Sequence, residues 1–171
     1  PNRTSVLHVL DNDTDPNANH TQVHVAYTRD GGMNWNDSIP HPTADVMTVD
    51  RYNQWLTVDG QGVVHVVYYD TRNSVNRTGN DLFYTFSTDG AVTWNEPTRI
   101  SSATSANLSD GQEWGDYNGV SVLHNKIITT WTDNRDGPPN NKDVYAAELL
   151  NVTSDATFLL GAPDGTRTVC R

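Results

Sequence analysis

The strongest constraint in this sequence is an eight-residue stretch that occurs twice. "TRDGGMNW" spans 28–35 and "STDGAVTW" spans 87–94; both read Ser/Thr-x-Asp-Gly-x-x-x-Trp, and they lie 59 residues apart. A shift by that spacing places Asp11 on Asp70, Asp30 on Asp89, Gly31 on Gly90 and Trp35 on Trp94. Between these anchors "VHVAYT" meets "LFYTFS", and both have the β-branched and aromatic content of strands. A third copy follows, in which "KIITTWTDNR" parallels "VVHVVYYDTR" and Asp133 and Arg135 stand where Asp70 and Arg72 stand. A period of this size marks repeated supersecondary units.

In the middle unit the strands are expected at Gln54–Val58, Val63–Asp70, Asp81–Ser87 and Thr98–Ser101. Helical periodicity is nearly absent, although Val144–Leu150 fits a helix or a strand. Four short antiparallel strands per unit of about 60 residues make one blade of a β-propeller, an all-β fold. The first unit lacks an opening strand and the third lacks the octapeptide. The chain therefore divides into a partial blade over 1–49, a blade over 50–104, a blade over 112–150 and a tail over 151–171. The tail is either a ring-closing strand or the start of a following domain. Propellers close with about four to eight blades, so an incomplete ring is expected. The remaining blades would come from the same precursor or from another chain, because open sheet flanks invite association. An immunoglobulin-like sandwich is the competing architecture.

The octapeptide has the chemistry of a hairpin turn. Asp89 accepts from backbone N–H groups further along, Gly90 permits a positive φ, and the hydroxyls of Ser87 and Thr93 close local bonds. Trp94 is expected to begin the next strand and pack over the hairpin. On this reading every group is satisfied locally, and the motif is framework.

These stretches resemble Asp-boxes, the repeats of sialidases and related β-propellers (BNR repeats). The resemblance runs over about residues 20–148, through "NQWLTVDGQGVVHVVYYDTRN", "DLFYTFSTDGAVTW", "WGDYNGVSV" and "TWTDNRDG". It is specific at Ser87, Asp89, Gly90, Thr93 and Trp94. It is looser at Thr28, Asp30, Gly31 and Trp35, where Asn34 replaces the usual Ser or Thr. The resemblance implies a secreted or cell-surface sialidase-like propeller with its Asp-boxes at the blade periphery, away from a central site. Sialidases bind a carboxylated sugar with an arginine triad and use a tyrosine–glutamate pair with an acidic catalyst. The candidates here are Arg51, Arg72 and Arg135, with Glu113, Asp116 and Tyr117 in "EWGDY". No Arg-Ile-Pro motif stands near the start, and no complete catalytic set assembles from these residues alone.

Arg72 and Arg135 each follow an aspartate by two residues, which also suits a self-bonded structural turn repeated in two blades. Trp114, Asp116 and Tyr117 are the candidate binding residues, since carbohydrate stacks on aromatic rings. Asp11, Asp13 and Asp15 alternate as oxygen ligands do at the start of a calcium loop. Pro16 and Gln22 replace the glycine and glutamate of an EF-hand, and a solvated acidic loop is the alternative. His8, His24 and His65 each precede a valine on a strand, at repeat spacing and not as a ligand set.

Acidic residues outnumber basic ones 21 to 11, for a net charge of −10. Such a chain repels a phosphate backbone, which argues against nucleic acid as a partner. No apolar run reaches the roughly 20 residues of a membrane-spanning helix. Asn-x-Ser/Thr acceptor sites begin at Asn2, Asn12, Asn19, Asn36, Asn76, Asn107 and Asn151, against about three expected by chance. That excess suggests a glycosylated extracellular surface. Cys170 is the only cysteine and has no partner within the chain.

Three functions follow: a glycan- or protein-binding scaffold, an exo-sialidase-type glycoside hydrolase whose other catalytic residues lie outside this chain, or a structural subunit of an extracellular assembly. Only the calcium loop would bring a cofactor.

Overall fold

The computed structural model describes the backbone of residues 3–10 and, in full, residues 20–44, 48–106, 118–124, 126–135 and 142–150. They form ten strands in three antiparallel sheets. The first sheet holds β1 (Arg3–Leu10), β2 (Thr21–Thr28) and β3 (Asn36–Ser38). The second holds β4 (Arg51–Val58), β5 (Val64–Asp70), β6 (Asp81–Ser87) and β7 (Thr98–Arg99), paired in chain order. The third holds β8 (Gly119–Leu123), β9 (Lys126–Asp133) and β10 (Asp143–Leu150). Among the described residues, no helix is long and apolar enough to cross a membrane.

The octapeptides join β2 to β3 and β6 to β7, so these strand pairs are equivalent. Among the described residues, the first sheet has no counterpart of β4 and the third none of β7. Val144–Leu150, ambiguous in sequence, lies in strand β10. The strand expected to open at Gln54 opens at Arg51, and the one expected to reach Ser101 stops at Arg99. Trp94 lies ahead of β7 and does not begin it. The tail over 151–171, with Asn151 and Cys170, lies outside the described residues, as do Asn2, Asn12, Asn19 and Asn107.

Burial explains the packing order. β5, "VHVVYYD", is buried along its whole length because neighbouring sheets cover both of its faces. Val64, Val66, Tyr68 and Phe83 meet Val23 and Val25 of the first sheet. Val67, Tyr69, Leu82, Tyr84 and Ile100 meet Val120, Ile127, Trp131 and Leu149 of the third. The third sheet turns the period-two pattern inward on one side only. Its other face leaves Ile128, Val144 and Leu150 exposed, although Val144 occupies the place at which the middle sheet buries Leu82 completely.

Both octapeptides form the expected turn. The Ser87 hydroxyl donates to Asp89 Oδ1 at 2.8 Å and accepts from the Ala91 amide at 2.9 Å. Asp89 Oδ1 also accepts from the Val92 and Thr93 amides. Bonds from the Thr93 side chain and amide hold the Asp89 carboxyl at about 2. In the first copy Thr28 and Asp30 take the same parts. The Asn34 amide donates to Asp30 Oδ2 at 2.6 Å, the bond that Thr93 Oγ1 makes to Asp89 Oδ2 at 2.6 Å. Asparagine thus replaces threonine without loss of the contact. Gly31 and Gly90 share a φ of 77° in the left-handed region, where the missing Cβ matters.

The groups of these turns also reach beyond the hairpin, contrary to the expectation of purely local satisfaction. Arg29 Nη2 donates to the Asp89 carbonyl at 2.9 Å, and the Trp94 indole N–H donates to Ser38 Oγ at 2.9 Å. Ser38 Oγ in turn donates to the Ala91 carbonyl at 2.6 Å. One turn is therefore tied to the previous blade.

A second polar unit lies inside the middle sheet. His65 is fully buried between Tyr84, whose hydroxyl lies 2.8 Å from Nδ1, and Asp59, whose Oδ2 lies 3.3 Å from Nε2. Burial lowers its pKa below 6.5 against the opposing pull of Asp59. The unfolded chain therefore takes up the proton first as pH falls. The stability from neutral His65 is complete above pH 6.5 and is lost as pH drops from there through the folded-state value. Urea midpoints measured between pH 7.5 and about 5 should fall for the wild type and fall less steeply for His65→Gln.

Candidate functional site

Antiparallel register brings the chemistry-bearing residues to one end of the blades. Arg51 at the start of β4 faces Asp70 at the end of β5, which faces Asp81 at the start of β6. All three are buried. The octapeptide turns and the Asp59 hairpin lie at the opposite end, because antiparallel strands return the chain there.

At this level Asp70 is the anchor. Its Oδ2 accepts from Arg51 Nε at 2.8 Å, and from Arg72 Nε at 3.0 Å and Nη2 at 2.7 Å. Its Oδ1 accepts from the Arg72 amide at 2.8 Å. The Arg72 guanidinium lies over the Phe83 ring, 4.2 Å from its centre. The third sheet repeats the arrangement. The Arg135 amide and Nε donate to Asp133 at 2.9 and 3.0 Å, its Nη2 makes a further contact, and the guanidinium lies 4.5 Å over Tyr145. Burial alone would push the Asp133 carboxyl up; bonds from Arg135, Ser105 and Trp131 outweigh it and hold the pKa low. Arg72 and Arg135 thus each close a turn on the aspartate two residues earlier.

Asp81 is tied in the same manner to Arg99 at 2.7 Å, Asn73 at 2.8 Å and Ser101 at 2.8 Å. Arg77 donates to Asp50 Oδ2 at 3.1 Å within its own blade and lies 2.9 Å from Nδ1 of His20, the residue ahead of β2. Towards the third sheet, Tyr69 donates to the Thr132 carbonyl at 2.7 Å and accepts from the Thr132 amide at 2.9 Å. Asn118 donates to the Asn53 carbonyl at 2.6 Å.

The three candidate arginines are not brought together as one open cluster: Arg51 and Arg72 share Asp70, whereas Arg135 belongs to the next sheet. Glu113, Trp114, Asp116 and Tyr117 lie outside the described residues, as do Asp11, Asp13 and Asp15. Among the described residues, no group of three or more His, Cys, Asp or Glu is placed to hold a metal. Sequence reasoning missed the buried Arg51–Asp70 pair, the Asp81 cluster and the Arg77 bridge. The signal for the first lay in register, since Arg51 opens one strand and Asp70 closes the next.

No family model and no curated protein matches the sequence. Solved structures do. An α-L-arabinanase from Penicillium chrysogenum complexed with arabinobiose superposes with a TM-score of 0.56 at 17% identity, over 76% of this chain and 38% of its own. A Hadza microbial sialidase gives 0.54 at 15% identity, over 86% of this chain and 32% of its own. The chain therefore spans only about a third of the length of either. Its fold is all-β, that of an incomplete β-propeller.

Replacing Asp70 with alanine would leave the fully buried Arg51 guanidinium without its carboxylate. The expected cost is about 3–5 kcal/mol, against less than half of that for Arg72→Ala, whose side chain is partly exposed. Urea denaturation of the two variants checks the order.

Proposed function

We propose that this chain is part of an extracellular, sialidase-like β-propeller that acts as a glycan-binding scaffold through the polar end of its blades. The observation that carries this reading is the commitment of the arginines. Arg51, Arg72 and Arg135 each bind a buried aspartate of the framework, and two also lie over aromatic rings. Such groups brace the loops at a binding surface; an arginine triad that grips a carboxylated substrate needs guanidinium groups turned outward together. The glycan side of the proposal draws on the similar structures, one an arabinanase and one a sialidase by title. Trp114, Asp116 and Tyr117 stay its candidate contacts, since carbohydrate stacks on aromatic rings and bonds to polar groups beside them. Asn36 and Asn76 are exposed and suit glycan attachment in a secreted protein.

The remaining blades, from the same precursor or another chain, would cover the open face of the third sheet at Ile128, Val144 and Leu150. A glycoside hydrolase completed by residues of those blades is the second reading, favoured by the enzymatic titles of both similar structures.

The chain should bind oligosaccharides on a glycan array and release no fluorophore from sialoside or arabinoside substrates. Turnover that disappears in Arg72→Ala or Arg135→Ala would overturn the scaffold reading in favour of the hydrolase.

A further inference from the structure

The seam between the first two sheets is directional, because the two octapeptide turns give it different groups. The first turn reaches forward: Arg29 Nη2 donates to the Asp89 carbonyl of the second turn at 2.9 Å. The second turn reaches back: the Trp94 indole N–H donates to Ser38 Oγ of β3 at 2.9 Å. Trp94 is partly buried there and packs on the apolar cluster that the two sheets share.

Trp35 holds the place of Trp94 in the first turn, and the bonds inside the two turns correspond. Among the described residues, no sheet packs on its side. Trp35 is accordingly 49% exposed, and among the described residues its indole N–H meets no acceptor. The flanking strands share this open face. Val23 and Val25 point toward the second sheet, so alternation turns His24 the other way. Ala26 pairs with Asp37, which brings the Asp37 carboxylate to the same face. His24 Nδ1 lies 2.7 Å from Asp37 Oδ2, and the Asp37 side chain is 53% exposed.

We propose that this face is the interface for a further sheet of the same repeat, and that the sheet does not belong to a second copy of this chain. The partner supplies a hydroxyl to the Trp35 indole and a cation to the Asp30 carbonyl, the parts that Ser38 and Arg29 play in the seam already present. The inference rests on the incomplete ring and not on glycan binding. A second copy joined head to tail would present the open face of its third sheet. Ile128, Val144 and Leu150 would then meet the His24–Asp37 pair, and the carboxylate would lose its water without gaining a donor. Lys126, beside those apolar groups, is committed to Glu148 at 2.7 Å. The sequence after β10 carries no octapeptide either, so a copy has nothing in the position of Arg29.

Hydroxyl-radical footprinting of the protein as purified from its source, read by mass spectrometry beside its native mass, tests the proposal. Trp35 should be labelled as little as Trp94, while Met33, 80% exposed on the same turn, is labelled freely. Trp35→Phe keeps a ring but loses the N–H, and should lower the urea midpoint of the assembled protein as Trp94→Phe does. An unchanged midpoint overturns the hydroxyl contact. Protection of Trp35 in an assembly made only of copies of this chain overturns the choice of partner. Free labelling of Trp35 with Ile128, Val144 and Leu150 protected overturns this interface and leaves ring completion standing. Free labelling of all four overturns ring completion as well.

Discussion

The aspartate that ends the second strand of a blade is the group on which the polar end depends. Asp70 is fully buried, yet it neutralises one guanidinium from the strand before it and another from the loop after it. A carboxylate in that position is tolerable only because charged partners surround it, and those partners are tolerable only because it is there. The mutual requirement fixes where β4 may start and where the chain turns after β5. Asp133 and Arg135 reuse it one blade later, with Trp131 donating its indole N–H in place of a second cation. The polar end of the blades is therefore constructed from charged groups that are already committed to one another.

Much of the fold was legible because its strongest signals are local. The octapeptide announces a hairpin through Asp, Gly and a hydroxyl at fixed offsets, all within reach of one another. Even the departure at Asn34 is readable, since an amide supplies the donor that a hydroxyl would. The uninterrupted run of β5 marks a strand covered on both faces. What stayed hidden depends on register between segments far apart. Arg51 and Asp70 are 19 positions apart, and nothing in that spacing hints that the two side chains meet. The β-bulge of β4, where Asn53 and Gln54 together oppose Tyr68, was hidden for another reason: Asn53 adopts a left-handed φ without the glycine that would have advertised it. The candidate site was correspondingly less legible than the framework. Arg72 and Arg135 were readable both as candidate cations and as self-bonded turns, and their geometry is that of the turn.

The ties between the turns of successive blades carry a further consequence. Apolar faces alone attract without direction, and two sheets held only that way could slide or rotate against each other at small cost. Arg29, Ser38 and Trp94 add bonds with defined geometry at the end opposite the charged cluster. Arg77, through His20, and Tyr69 do so at or near the charged end. Each seam is thus pinned, and the angle between blades becomes a property written into side chains. Curvature in a ring of blades accumulates from that angle. A few hydroxyls and indoles at the rim therefore help set how many blades are needed to come full circle.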